Sequence, residues 1–480
     1  MYRWFNDVPN EFLLKGLPES ATEQKFACYP RIKKMADGRY IMFYMGGRLG
    51  SRIWCCTSDD LKNWSEPVML YSPRPVTVKG EKDVIRYVNM DAAVLRNGDI
   101  LAVCSFRAAG HYREGLGCGL LTIRSSDNGL SWSEPQQIYD GPNWEPYLLE
   151  LPDGRLQCYF TDADPQYWNS GTSMLLSSDG GRSWGDKTRV SRQYKYDYKG
   201  KGIYTDQMPC FRVLSDGKTL AGWLESRLET KIPLDYADKD YYASYCKMSL
   251  VLSDGTDWKA LGPDEEGPQR RYTNVIKAAG GYVAVFPSGE VAISNGQNSI
   301  FKAKLLRSDA QLPDGANWST DWLDLLPGKG YWGCTEVDSP STMVVAMHDA
   351  EGMQTGRYYL NHRIDASEDG WSKDALYLCT QNGEEARIWS RRSGDRLLLR
   401  TSLGEDAALK LLLCAGPGEQ VMEITAGAGT SEQEVSLSEL GASIGDYVCI
   451  YAELSSRSYR STFTFSKKND TSKWQRILIK

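Results

Sequence analysis

Asn143 to Asp164, NWEPYLLELPDGRLQCYFTDAD, carries two short apolar runs, YLLEL and LQCYF, on either side of Pro152, Asp153 and Gly154. Such runs predict strands, and Asp-Gly between them predicts a two-residue hairpin turn, because glycine readily adopts the positive φ that the turn requires. The same pattern recurs along the chain. YPRIKKMADGRYIMFYMG starts at Tyr29, MDAAVLRNGDILAVCSFR at Met90 and MPCFRVLSDGKTLAGWLE at Met208. Two looser copies are GGYVAVFPSGEVAISNG from Gly280 and WGCTEVDSPSTMVVAMHD from Trp332. A supersecondary unit repeated six times decides the architecture before any other feature of the sequence.

A second signature follows the early copies. SSDNGLSW (Ser125 to Trp132) and SSDGGRSW (Ser177 to Trp184) share one form, and TSDDLKNW (Thr57 to Trp64), LSDGTDW (Leu252 to Trp258) and RSDAQLPDGANW (Arg307 to Trp318) are degenerate versions. In such a loop the Asp carboxylate accepts backbone N–H groups, Gly takes a left-handed conformation and Trp packs inward. Asp127, Asp179, Trp132 and Trp184 are therefore assigned to folding and not to chemistry.

Six four-stranded units imply an all-β chain whose residues 1–366 form a six-bladed β-propeller. Beyond His362 the pattern changes to short alternating strands between Gly, Ser and Asp turns, so residues 367–480 are expected to form a small C-terminal β-sandwich, with Trp389, Leu398, Leu412 and Tyr447 in its core.

Composition narrows the function. Lys plus Arg (56) nearly balances Asp plus Glu (62), a net charge of -6, which argues against a nucleic-acid partner. No run approaches the roughly 18 apolar residues of a membrane helix, and MYRWFNDVPNEFLLKG lacks the pattern of a secretory leader. A cytoplasmic location is expected, or a secreted or periplasmic one if a leader has been removed. Many of the 12 cysteines, such as Cys55, Cys56, Cys104, Cys158 and Cys449, sit in apolar strand-like runs and read as buried thiols. His111, His348 and His362 are scattered without ligand spacing, so neither a metal nor an organic cofactor is expected. Fifteen Trp and 28 Tyr against 11 Phe favour rings with a polar end, as on sugar-binding surfaces.

Propellers bind ligands at the end of the central axis, where the innermost strands begin. Those positions read Arg31, Asp91, Glu145, Met208 and Tyr331. Glu145, wedged between Trp144 and Pro146, stands out: burial beside Trp144 would raise its pKa and suit it to proton transfer or nucleophilic attack. The bland alternative is a bond from Glu145 to the backbone of a neighbouring blade. Glu225 ends an apolar strand in the next repeat, either as the second carboxylate of a hydrolytic pair or as a surface partner of Arg227.

The loops SSDNGLSW and SSDGGRSW resemble the Asp boxes of the sialidase superfamily, and YPRI around Arg31 resembles the start of the sialidase active-site arginine motif. The sialidase arginine triad is absent, because Tyr159, Phe160 and Thr161 stand where the third-blade Arg would fall. Trp144, Glu145, Pro146, Tyr147 and Leu148, followed by Asp153, Gly154, Leu156, Gln157 and Tyr159, look more like the family 93 glycoside hydrolases, exo-acting arabinanases. Met208, Pro209, Asp216, Gly217 and Glu225 match that family's second motif. The resemblance implies that Glu145 and Glu225 are the pair of a retaining mechanism, with Glu145 as nucleophile and Glu225 as acid/base. It also matches Tyr331, with Trp332 or another tyrosine as the alternative, to a tyrosine that assists catalysis in the family. Arg31, Asp91 and Met208, from their place at the strand starts, and Trp144 beside Glu145 are expected to contact the sugar. The C-terminal sandwich, the 186–208 segment and the aromatic, acidic 231–246 segment depart from the family pattern, the two segments being expected to shape the mouth of the pocket.

The resulting expectation is an exo-acting retaining glycoside hydrolase on α-1,5-linked arabinan or arabino-oligosaccharides. Three alternatives stay open: a glycosidase on another terminal sugar, a non-catalytic carbohydrate-binding propeller, and a polysaccharide lyase using His111, Tyr112 and Arg113.

Overall fold

The computed structural model describes residues 11–15, 27–46, 51–164, 170–193, 196–197, 202–214, 216–229, 246–262, 265–274, 279–286, 291–297, 300–306, 323–324, 331–339, 342–348, 353–359, 363–373, 375–379, 384–415, 422–458, 462–464 and 474–480. Among them, the chain up to Tyr359 forms six antiparallel sheets of four or five strands. Their inner strands are Ala27–Lys34, Glu81–Val94, Asn143–Glu150, Gly202–Val213, Ala279–Val285 and Tyr331–Ser339. Each inner strand packs on the next, and the sixth packs on the first, so the sheets close a ring. The sixth sheet takes its outer strand, Glu11–Lys15, from ahead of the first sheet, paired antiparallel with Met353–Tyr359. Because each sheet is covered on both faces by its neighbours, its second strand is apolar almost throughout. Tyr40–Gly46 and Leu156–Asp162 are buried at every position.

All six inner strands break register against their second strands in equivalent places: between Cys28 and Arg31, Val88 and Met90, Trp144 and Tyr147, Gln207 and Cys210, Ala279 and Gly281, and Tyr331 and Cys334. At each break one residue has positive φ: Tyr29 (60°), Asn89 (51°), Glu145 (50°), Met208 (49°), Gly280 (55°) and Trp332 (46°). These are β-bulges, which insert one residue and re-aim a side chain. Five of the six are not glycine, so each holds a backbone conformation that costs an L-residue about 1–2 kcal/mol.

Below the bulges, period-two alternation stacks the side chains of the inner strands in layers. Two residues on from the bulges come Arg31, Asp91, Tyr147, Cys210, Tyr282 and Cys334. The Arg31 guanidinium lies 3.7 Å from the Tyr29 ring centre and 4.5 Å from that of Tyr282. Two residues further, Lys33 pairs with Asp91 (3.4 Å) and Glu336 (3.3 Å), and Arg212 pairs with Glu336 (2.8 Å). These contacts join the first sheet to the fifth and the fourth to the sixth, which places them on the ring's axis. The axis is filled by side chains beneath the bulges.

The hairpins that close the inner strands differ from the two-residue turns expected from sequence. The Met35 amide bonds the Arg39 carbonyl at 2.7 Å, Leu95 bonds Asp99 at 2.8 Å and Leu151 bonds Arg155 at 2.8 Å, enclosing three residues. Only the glycines, Gly38, Gly98 and Gly154, have positive φ. This is the three-residue loop in which a turn is followed by one left-handed residue. Asp37 and Asp153 accept the amides of Arg39 and Arg155, each at 3.0 Å, so the acidic residue caps the turn instead of adopting positive φ itself.

The outer loops follow the wiring read from sequence. Ser125 Oγ donates to Asp127 at 2.8 Å and accepts the Gly129 amide at 2.9 Å, and Asp127 accepts the Ser131 amide at 2.9 Å. Ser177, Asp179, Gly181 and Ser183 repeat this. The Ser131 hydroxyl, then the Ser131 amide and the Ser125 hydroxyl, all donating to it, hold the Asp127 carboxyl down at about 2. Each loop is pressed against the preceding sheet: Trp132 meets Phe43 edge-on at 5.8 Å, and Trp258 donates to the Tyr159 hydroxyl at 2.7 Å.

Beyond the ring, Leu376–Cys379, Glu385–Ser393, Arg396–Leu403 and Gly429–Ser436 form one sheet, and a six-stranded sheet contains Ala407–Ala415, Tyr447–Ser456 and Gln475–Ile479. Ile388, Leu397 and Leu399 from the first pack with Leu411, Leu413 and Ile450 from the second. Leu412 is buried as expected, but Trp389, Leu398 and Tyr447 are half-buried. Choosing Leu398 instead of Leu397 or Leu399 is a one-residue slip, which exchanges the faces of a strand. Arg363–Ala366, read from sequence as the end of the propeller, pairs parallel with Gln475–Ile479 and so belongs to this second unit.

Gly181 (φ 86°) tests the loop packing, because a Cβ there would lie 2.9 Å from Leu101 of the preceding sheet and 3.2 Å from Leu156. Gly181→Ala is expected to destabilise the protein by about 1–2 kcal/mol from the backbone alone, read as a lower midpoint in urea denaturation. An unchanged midpoint would show that this loop does not hold the two sheets together.

Candidate active site

The two carboxylates singled out from sequence meet at the bulged end of the ring. Glu145 occupies the third bulge, and its Oε2 accepts the Thr161 hydroxyl at 2.9 Å. Thr161 also accepts the Met208 amide at 2.9 Å, and that amide steadies the Glu145 carboxylate as well. Glu225, in Leu220–Glu229 opposite Gln207, is 7% exposed and accepts the Gly280 amide at 2.7 Å. Met208 and Gly280 are the fourth and fifth bulges. A bulge frees an amide from the strand ladder, and here each freed amide serves a carboxylate projecting from the sheet before it.

The pair is electrostatically coupled. Burial first, and then the charge of Glu225, push the Glu145 carboxyl up to about 7, against the opposing pull of Thr161, Arg107 and the Met208 amide. Two carboxylates in one partly dehydrated site cannot both ionise freely, so the pair keeps a proton near neutral pH. The Gly280 amide favours the ionised form of Glu225.

An aromatic and cationic wall stands beside Glu145. The Arg107 guanidinium lies 5.6 Å from the Trp144 ring centre and 5.1 Å from that of Tyr112, and Arg107 donates to Asn89 Oδ1 at 3.3 Å. Tyr112 meets Trp144 edge-on at 6.3 Å and accepts Arg113 Nε at 3.2 Å. That bond, followed by the charges of Arg113 and Arg107, lowers the Tyr112 phenol below its usual range. On the far side of the ring Trp332 packs on Tyr29 at 6.5 Å, and Gly280 leaves a gap between Met208 and Trp332.

Glu145, Met208, Trp144 and Glu225 come together, whereas Arg31 and Asp91 lie one layer deeper. Arg31 is 1% exposed and donates to the Pro30 and Trp332 carbonyls at 2.6 and 3.2 Å. Asp91 is fully buried, accepts the Leu148 amide at 3.1 Å and pairs with Lys33. Both support the floor of the site from below. They were grouped with Glu145 because all stand near a strand start; counted from the bulges, their layer-mates at the surface are Tyr29 and Asn89. The Tyr331 backbone pairs with His348, the sixth bulge falls on Trp332, and the Tyr331 side chain lies outside the described residues, as does segment 231–245. Most of 186–208, read as a linker, is strand: Thr188–Ser191 edges the third sheet and Gly202–Val213 is the fourth inner strand. His111 is held by Asp83 at 2.8 Å, away from the carboxylates. Sequence reasoning misses Arg107, Thr161 and Asn89, which the register between the first two strands of a sheet identifies, and it offers Tyr112 only for the lyase alternative.

No family model matches the chain, and no curated protein matches it. Solved structures do. A Dyadobacter fermentans protein of unknown function is 16% identical over 75% of this chain and 99% of its own, with a TM-score of 0.52. The α-L-arabinofuranosidase Arb93A of Fusarium graminearum, bound to an iminosugar inhibitor, is 15% identical over 74% of this chain and 98% of its own, with a TM-score of 0.51. The Fusarium graminearum GH93 α-L-arabinofuranosidase, in complex with arabinobiose, gives 15%, 75%, 97% and 0.50. The fold is that of a sialidase-like propeller. Within this propeller the carboxylate pair sits at one end of the axis, on the ring of bulges.

The proton on Glu145 has a consequence for stability. Its folded pKa, about 7, is raised above the usual 4.5, so the folded state binds the proton more tightly than the unfolded chain. The stabilisation is complete below about pH 4.5 and is lost as pH rises through about 7. Glu145→Gln, which cannot ionise, is expected to raise the melting temperature at pH 8 relative to the unsubstituted chain and to change it less at pH 4.5. Equal shifts at both pH values would mean that Glu145 is not protonated in the folded state.

Proposed function

We propose that the protein is an exo-acting retaining glycoside hydrolase acting on α-1,5-linked arabinan or arabino-oligosaccharides. In this reading the six sheets are the blades of one closed six-bladed propeller, and the C-terminal sheets form an accessory β-sandwich corresponding to about residues 367–480 of the sequence reading. The observation that carries the proposal is the meeting of Glu145 and Glu225, the first holding a proton near pH 7 and the second accepting the Gly280 amide at 2.7 Å. Two carboxyl groups in different protonation states are what hydrolysis of a glycosidic bond requires.

The chemistry has two steps. One carboxylate attacks the anomeric carbon while the other carboxyl donates its proton to the departing oxygen, leaving a glycosyl-enzyme ester. The second group, now ionised, takes a proton from water, which displaces the ester and regenerates the pair. The resemblance in sequence gives Glu145 as nucleophile. The raised pKa of Glu145 favours the reverse, with Glu145 as acid and Glu225 attacking, because no proton then has to cross the pair before reaction. Trp144 offers a face for the sugar ring. The arabinobiose bound by the Fusarium enzyme agrees with the substrate proposed here.

Linear arabino-oligosaccharides incubated with the protein are expected to release a short product from the chain end, with the anomeric configuration retained. Glu145→Gln and Glu225→Gln should each lower the rate by about 10²–10⁴ while still binding sugar in calorimetry. Azide added to the two Glu→Ala variants separates the roles. It should restore turnover as a β- or α-glycosyl azide of retained configuration when the acid/base is missing, and of inverted configuration when the nucleophile is missing. Absence of turnover on arabinan and on a panel of para-nitrophenyl glycosides would replace the hydrolase with a carbohydrate-binding propeller.

A further inference from the structure

We infer that the site beside Glu145 also takes sugars that carry an anionic group, a carboxylate or a sulfate ester, held by Arg107, and prefers them to neutral ones. The inference rests on the reading of this end of the ring as a sugar site and goes beyond the neutral arabinan proposed above. Among the described residues, other partly or fully buried arginines of the ring are matched by carboxylates. Arg189 pairs with Asp162 at 2.8 Å, Arg271 with Asp206 at 2.6 Å, Arg212 with Glu336 at 2.8 Å, Arg124 with Asp99 at 2.8 Å and Arg357 with Asp338 at 3.4 Å. Arg31, the exception in the layer below, is satisfied by two carbonyls and two ring faces.

Arg107 has neither arrangement. It is half-buried between the rings of Trp144 and Tyr112, and among the described residues no carboxylate lies within ion-pair distance of it. A guanidinium has five N–H donors, of which the 3.3 Å bond to Asn89 and a bond to the Tyr112 hydroxyl use two. The remaining donors are not among the buried polar atoms without a partner, so they face open space. The carboxyl that attracts Arg107 is Glu145, which lies beyond ion-pair distance and holds a proton near pH 7, so burial outweighs attraction and lowers the Arg107 pKa; a ligand anion would complete such a site.

The neighbours strengthen the argument. Arg86 stands directly opposite Arg107 in the strand register, so both side chains leave the same face of the sheet. Like charges in that position repel each other unless an anion lies between them. Arg113, reaching the Tyr112 hydroxyl from the other side, also has no carboxylate within ion-pair distance among the described residues. Three arginines therefore line one side of the mouth of a protein whose net charge is -6. The rigid fork of Arg107, braced by two rings and Asn89, presents donors suited to two oxygens of one planar or tetrahedral anion.

The test is calorimetric titration of full-length Glu145→Gln, which leaves bound sugar intact, with four probes: trigalacturonate, its carboxyl-reduced form, a sulfated galacto-oligosaccharide and linear arabinotriose. At least one anionic probe should bind about 10- to 100-fold more tightly than its neutral counterpart. Adding Arg107→Gln should abolish that preference and leave affinity for the neutral probes within about two-fold, whereas Arg107→Lys, which keeps the charge, should retain part of it. Melting curves confirm that each variant folds. Preference for the uronate identifies a carboxylate and preference for the sulfated sugar identifies a sulfate; either supports the inference. Equal affinity for charged and neutral probes, or a preference that survives Arg107→Gln, overturns it. Arabinotriose binding and turnover without anion preference would sink this inference alone, and anion preference without turnover would sink the hydrolase alone.

Discussion

Six strained backbone positions hold this molecule's chemistry in place. At Tyr29, Asn89, Glu145, Met208, Gly280 and Trp332 the inner strands bulge at the same level, and the ring of bulges is both the rim of the packed axis and the floor of the site. The bulge does two things at once. It turns one side chain toward the axis, and it releases an amide from the ladder, which then serves the carboxylate of the sheet before it. Because the bulges belong to inner strands packed between two neighbours, Glu145 and the amides that serve both carboxylates are held from both sides. Backbone strain of this kind persists only where the surroundings over-determine it.

The layers below explain how the strain is supported. Arg31 braces Tyr29 and Tyr282, and Lys33, Asp91, Arg212 and Glu336 tie four sheets together across the axis. Buried charges of this sort add little net stability, since desolvation offsets most of their attraction. Their effect is on geometry: they set how the sheets are rotated about the axis, and therefore where the bulges fall.

The repeated units were legible in the sequence because each copy combines an apolar run, a turn and a second apolar run, and the copies from Tyr29, Met208, Gly280 and Trp332 begin on the residue that bulges. The carboxylates were legible for the same reason, since Glu145 stands just ahead of the first apolar run of one copy and Glu225 ends another. The layers were not. A strand start is blurred by one or two residues, and with a period of two that is enough to bring Arg31 and Asp91 into a layer they do not share with Glu145. Thr161, Ser105 and Glu225 occupy the same register position, opposite the residue before the bulge. That equivalence is hidden in the sequence by a turn between Leu214 and Thr219 that is one residue longer than those of the other copies. Arg107 was hidden because its meaning depends on the absence of a partner, which no single stretch of sequence encodes.

The strand Glu11–Lys15 completes the last sheet by pairing Glu11 with Arg357. A chain emerging from the ribosome therefore holds an orphaned strand until some 340 further residues have been made, and throughout that interval the sheet edge that will receive it does not exist. The loop to be closed is long, but the entropic cost of closure grows only with the logarithm of its length. The delay is in time more than in free energy. The ring, and with it the alignment of the bulges, can be completed only after the sixth sheet has formed, so the surroundings of Glu145 and Glu225 are among the last features of the ring to appear.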